Sequence, residues 1–175
     1  KDYAEKGFLI KWNPAIKTEN DRKKIWKALL DDVIDVVATD HAPHTLDEKQ
    51  QPYLKAPSGG PLVQHSLQAM LDFYHQGKIS LEKIVQKMCH NVAIIFRIKE
   101  RGFIREGYWA DLVLVDINKP YKVTKENLLY KCGWSPFEGH TFSSTITHTF
   151  VSGHLVYENG NFDESVKGKR LVFDR

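Results

Sequence analysis

The sequence predicts an α/β fold that gives way to a strand-rich C-terminal segment. Three observations carry this. Two apolar runs, Gly7–Trp12 and Val33–Ala38, flank an amphipathic stretch, and the three together span roughly 32 residues, the length of a β-α-β unit. A series of helical patterns fills Leu62–Phe96. Beyond Gly102 the texture changes to short apolar runs separated by tight-turn dipeptides. A parallel β-α-β unit belongs to a barrel or a doubly wound sheet, and both place their active sites at the C-terminal ends of the strands. The boundary between the two units is expected near Lys99, giving segments 1–98 and 99–175.

Gly7–Trp12 reads as a strand that Asn13-Pro14 ends, because proline cannot donate to a ladder and biases its neighbour. Thr18 or Asn20 can cap a helix from about Glu19 to Asp31, with Ile25, Trp26, Leu29 and Leu30 on its apolar side. Val33–Ala38, rich in valine, reads as a fully buried strand. A polar loop of roughly 17 residues follows His44, long enough to suggest a role beyond connection. Leu67, Met70, Leu71 and Tyr74 mark a helix that Gly77 closes, Ser80 caps another, and Asn91–Phe96 is a third. His65, His75 and His90 lie on or beside these helices and read as plain surface or core residues. Asp111–Asp116 is a strand, Thr145–Ser152 and Leu155–Glu158 form a hairpin, Asn159-Gly160 offers a second tight turn, and Leu171–Phe173 is a last short strand.

Composition narrows the function. The 175 residues carry a net charge of +3 from 25 basic and 22 acidic side chains, too mild and too evenly spread for a nucleic-acid or membrane surface. No apolar run approaches the length of a membrane span. Cys89 and Cys132 lack metal or disulfide spacing and read as reduced thiols of a cytoplasmic protein. The N-terminus opens no apolar signal region, and its first residue, Lys1, leads us to expect sequence upstream.

The chemistry concentrates in Thr39-Asp40-His41-Ala42-Pro43-His44, where a carboxylate and two imidazoles appear as the apolar run ends. This corner resembles the last metal-ligand motif of the dihydroorotases in the amidohydrolase superfamily. Lys11-Trp12-Asn13-Pro14-Ala15 is similar to that family's Asn-Pro-Pro segment, and Ala56-Pro57-Ser58-Gly59 to its substrate-covering loop. Gly102–Gly107, Ala110–Val113, Thr149–Gly153 and Val156–Gly160 are similar to its C-terminal β-domain. Departures from the family are Ala15 where a second proline is usual, Lys17 for arginine, and Asn91-Val92-Ala93 for Asn-Pro-Ala.

The resemblance implies the C-terminal part of a (β/α)8 metal-dependent hydrolase barrel followed by strands of a small β-sandwich. A whole barrel needs about 250 residues. The family's His-x-His pair, its bridging acid or carboxylated lysine and its two later metal-binding histidines are not in this sequence. The implied reaction is reversible hydrolysis of dihydroorotate to N-carbamoyl-aspartate, in pyrimidine biosynthesis, with one or two zinc ions and a homodimeric full-length enzyme. Asp40 would be a metal ligand and the general base that becomes a general acid. Asn13, His44, Ser58 and Gly59 would bind substrate, His44 through the substrate carboxylate. His41, adjacent to Asp40, should point away and be structural. Trp134 and Phe137 in the Trp134–His140 segment could pack the loop onto the barrel or lie in a subunit contact, and packing is the preferred expectation. The chain alone is expected to be inactive. The other readings are an allantoinase- or hydantoinase-like enzyme and a catalytically dead structural partner.

Overall fold

The structure, a computed structural model, describes residues 3–174. Helices α1 (Tyr3–Lys6), α2 (Glu19–Leu30), α3 (Leu46–Lys49), α4 (Ser66–His75), α5 (Leu81–Val85) and α6 (Asn91–Ile95) precede strands β1 (Leu112–Asp116), β2 (Tyr121–Lys122), β3 (Thr141–Phe142), β4 (Thr145–Val151), β5 (His154–Glu158) and β6 (Asn161–Phe162).

Thr18 starts α2 with a reciprocal cap: its hydroxyl accepts the Asp21 N–H while the Asp21 carboxylate accepts the Thr18 N–H at 3.0 Å. Trp26, Leu29 and Leu30 face the core, but Ile25 is 60% exposed, so the buried stripe is narrower than the sequence pattern suggested. Ser80 caps α5 as expected, and a π-turn over Gln86–His90 joins α5 to α6. Gly77, at φ +67°, closes α4 with its N–H on the Tyr74 carbonyl at 2.8 Å. The core gathers Leu29, Met70, Leu71, Ile79 and Ile84, and Val115 of β1 packs against it from the C-terminal half.

Four strands form an antiparallel sheet in the order β1-β4-β5-β6, and β2 pairs with β3 separately. Both predicted turns are present. Ser152-Gly153 joins β4 to β5 and Asn159-Gly160 joins β5 to β6, all four residues at positive φ as a two-residue hairpin turn requires.

Three expected strands differ. Gly7–Ile10 winds into a 3-10 turn, since a short apolar run suits a buried turn as well as a strand. Residues 35–40 carry neither helix nor ladder. No strand lies beside them among the described residues, and a parallel strand needs such a neighbour to pair its backbone. Leu171–Phe173 reduces to one bridge between Phe173 and Ile98. The long polar loop is also shorter than expected, because Thr45 and Glu48 form a capping box that starts α3 inside it.

Candidate active site

Residues 35–40 are tied from one side: the Val37 N–H donates to the Lys87 carbonyl at 3.2 Å, and the Asn91 amide donates to the Asp35 carbonyl at 2.7 Å. At Asp40 the chain turns through φ +46°, a left-handed conformation that Asp adopts more readily than most residues. The turn leaves Asp40 exposed, and its carboxylate accepts no hydrogen bond among the described residues. His41 then bridges Gly60 in parallel, and the Ala42 N–H reaches the Gly60 carbonyl at 3.3 Å.

The two histidines separate in role. His41 Nδ1 accepts the N–H of Leu62 at 3.1 Å and that of Val63 at 3.4 Å, which agrees with the structural role expected of it. His44 is half-buried, its carbonyl accepts the Trp134 indole N–H at 2.8 Å, and its Nδ1 lies 3.6 Å from Glu48 Oε2. The Glu48 carboxyl is held below its ordinary range by the Thr45 N–H it accepts. Trp134 is buried, as expected of a residue that packs the loop down.

The loop carrying Ser58 and Gly59 is pressed into the same corner. Gly59, at φ +113°, donates its N–H to the Lys11 carbonyl at 2.9 Å. A Cβ there would stand 2.6 Å from the Ala42 carbonyl oxygen, and one on Gly60 only 2.3 Å from the Trp12 ring. Glycine is required at both places because backbone passes directly over backbone or ring. The structure therefore brings together the stretch ending in Asn13, the Asp40–His44 corner and the Ser58–Gly60 loop. Asn13 is exposed and joined to Pro14 by a cis peptide bond, and its side chain makes no hydrogen bond among the described residues.

Several residues that the sequence did not single out complete the surroundings. Tyr130 lies over His41 with ring centroids 5.6 Å apart, accepts the Gln64 N–H at 2.9 Å and meets His65 Nδ1 at 3.3 Å. Burial pushes the Tyr130 phenol up to about 12 and the His65 imidazole down to about 4, so both are neutral near pH 7. Lys49 is fully buried behind the loop. A cavity of about 630 Å³ opens beside His41, His44, Glu48, Tyr130 and Cys132. A larger one, about 710 Å³, lies between Gln68 and the Tyr121, Tyr157 and Phe162 rings and touches none of the Asp40–His44 corner.

Zinc centres take three or four protein ligands. Asp40 offers one carboxylate, and no group of three His, Cys, Asp or Glu among the described residues could hold a metal. These residues do not complete a metal site by themselves. No helix among them is long and apolar enough to cross a membrane.

The model of the amidohydrolase family matches residues 14–156. The chain belongs to the amidohydrolase family. It is 36% identical to a dihydroorotase of Pyrococcus abyssi over 172 residues, covering 98% of this chain and 41% of that protein. It is 39% identical to a dihydroorotase of Halobacterium salinarum over 139 residues, covering 79% of this chain and 33% of that one. The chain thus spans about two fifths of the length of the curated relatives it matches. Among solved structures, an L-hydantoinase (dihydropyrimidinase) from Arthrobacter aurescens superposes with a TM-score of 0.84 at 28% identity, over 92% of this chain and 37% of that one. A D-hydantoinase from Thermus sp. also gives 0.84, over 92% and 37%, and at 22% identity it speaks for the fold alone. The α/β class expected from the sequence, part of a TIM-like barrel followed by sheet, is the fold these superpositions give.

Proposed function

We propose that the chain forms the C-terminal part of a dihydroorotase, which opens the cyclic amide of dihydroorotate to N-carbamoyl-aspartate and closes it again. The observation that carries the reading is the second histidine of the corner. A hydantoin ring has no free carboxylate, whereas dihydroorotate does, and His44 offers an imidazole N–H at the rim of a cavity where such a group can dock. The identity to dihydroorotases over nearly the whole chain supports the same choice.

On this reading Asp40 is the proton carrier. Its carboxylate is exposed and without a partner among the described residues, so it is open to accept a proton from the attacking water. The amide nitrogen is a poor leaving group, and the same carboxylate then returns the proton to it. Asn13 presents donor and acceptor to the ring edge, and the Ser58–Gly59 backbone covers the ring from the other side. Asp40 also contributes one ligand to a zinc site whose other ligands are not among these residues. The 175-residue chain alone then neither holds zinc tightly nor turns over. The soluble substrate, a cytoplasmic location and a homodimer complete the proposal.

The test is a substrate panel on the full-length protein: dihydroorotate, hydantoin and allantoin at equal concentration. Preferred opening of dihydroorotate supports the reading. Preferred opening of hydantoin transfers the assignment to the hydantoinase class, which the Arthrobacter aurescens superposition makes the second candidate. Absence of turnover on all three would favour a non-catalytic homologue.

A further inference from the structure

Lys49 has no side-chain surface in contact with solvent, and no carboxylate pairs with it among the described residues. A buried cation in that state is costly unless other groups replace its water. Three backbone carbonyls do so: Nζ donates to Gly59 at 2.9 Å, Pro57 at 3.0 Å and Lys11 at 3.4 Å. Its charge also faces the rings of Trp12 and Trp134, 5.6 and 5.9 Å from their centroids. All three ammonium donors are therefore engaged, and every acceptor is main chain.

Those acceptors come from the segments that frame the candidate site. Pro57 and Gly59 flank Ser58, and Lys11 precedes Asn13 by two residues. The Lys11 side chain grips the same loop from outside, donating to Ala56 at 2.6 Å and Tyr53 at 2.8 Å. The other end of α3 reaches the substrate corner, since Thr45 caps it directly after His44 and Glu48 faces His44. One helical turn thus links the His44 side of the site to the Ser58–Gly59 side.

We infer that Lys49 is a positioning residue, a buried ammonium that sets the Pro57–Gly59 backbone in the shape that covers the substrate ring. It touches no substrate, and it acts through the carbonyls it holds. An apolar side chain of similar length would avoid the desolvation cost and would leave the loop carbonyls unfixed. The inference rests on the dihydroorotase reading for the identity of the ring, but not for the clasp itself.

The experiment uses the full-length protein with Lys49→Met and Lys49→Arg. Amide hydrogen exchange without ligand reads the clasp. Lys49→Met should speed exchange at Ser58, Gly59 and Gly60 at least tenfold while the α4 amides keep their rates. Steady-state kinetics should show KM for dihydroorotate raised about tenfold, the size of one net hydrogen bond, with kcat changed less than threefold. Lys49→Arg, which keeps charge and donors, should recover part of both effects. Should Lys49→Met fail to fold, reductive methylation of the wild-type protein replaces it: Lys49 must stay unlabelled while Lys23 and Lys27 label fully. Unchanged loop exchange in a folded Lys49→Met, a kcat loss with constant KM, or ready methylation of Lys49 overturns the inference. If the wild type opens another cyclic amide and not dihydroorotate, the dihydroorotase reading fails, and the exchange result still decides the role of Lys49.

Discussion

Two lysines are fully buried on either side of the Asp40 corner, Lys87 at the Ile34 end and Lys49 beneath the Ser58–Gly60 loop that packs on Ala42, and they are satisfied in opposite ways. At the first end Lys87 binds the Ile34 carbonyl and pairs with Asp32 Oδ1 at 2.9 Å, while Lys83 donates to both oxygens of the same carboxylate at 2.9 Å. The Lys87 and Lys83 hydrogen bonds hold the Asp32 carboxyl below its ordinary range. Charge meets charge there, and the carboxylate's oxygens are taken. At the loop end Lys49 is met by carbonyls and rings with no carboxylate partner among the described residues, and Asp40, in the corner on which this loop packs, accepts nothing among the described residues. The difference teaches where to look for chemistry. A carboxylate saturated by lysines holds a fold together. A carboxylate left open at the end of an unpaired segment is available to a ligand.

The two ends should also lose their hold in different pH windows, and this is the largest effect we expect on stability. His65 packs against Tyr130, the ring that lies over His41, and its folded-state value is about 4, below the ordinary 6.5. The unfolded chain takes up a proton as pH falls through about 6.5, and the folded chain refuses it until about 4, so stability drops with acid across that window, by about 3 kcal/mol. Asp32 works lower. Its folded value is depressed, so its contribution is present above the ordinary carboxylate value of about 3.9 and is lost as pH falls below it. Urea denaturation of the full-length protein at a series of pH values checks both. His65→Leu should flatten the slope between pH 6.5 and 4 and leave the steeper acid limb; an unaltered slope would break the comparison.

Next in size is His44→Ala, which on the proposed reading removes one hydrogen bond to the substrate carboxylate and should raise KM for dihydroorotate about 10- to 100-fold. Hydantoin turnover, with no carboxylate to lose, should change little. Asn13→Ala should weaken substrate binding by about 1–2 kcal/mol, measured as a rise in KM, with stability untouched because the amide makes no bond within the described chain.

Much of this was legible in the sequence, for local reasons. The Thr18 and Ser80 caps, the Gly77 stop and the two hairpin turns each depend on a few neighbouring residues, and each is where the pattern placed it. The Asp40 corner was legible because an apolar run stops there against a proline. What failed depends on partners far along the chain. Gly7–Trp12 and Val33–Ala38 read as strands because short apolar runs carry no period that tells a strand from a turn or an unpaired segment. His65 and Lys49 gave no local signal: an aromatic cage of Tyr130, Phe137 and Phe142 makes one imidazole neutral, and carbonyls from three places make one lysine buried. The two-residue strands β2 and β3 are too short for any alternation to register.

One measurement tests the contrast between the two ends most directly: dihydroorotate turnover by the full-length protein carrying Asp40→Asn or Asp32→Asn. Asparagine keeps the size of both side chains and tolerates the positive φ that both positions adopt, +46° at Asp40 and +62° at Asp32. The account predicts that Asp40→Asn lowers kcat by about 10²–10⁴-fold with the melting temperature preserved. It predicts that Asp32→Asn lowers the melting temperature and leaves kcat and KM as they were. Full turnover by Asp40→Asn, or a kcat loss in a stably folded Asp32→Asn, would contradict it.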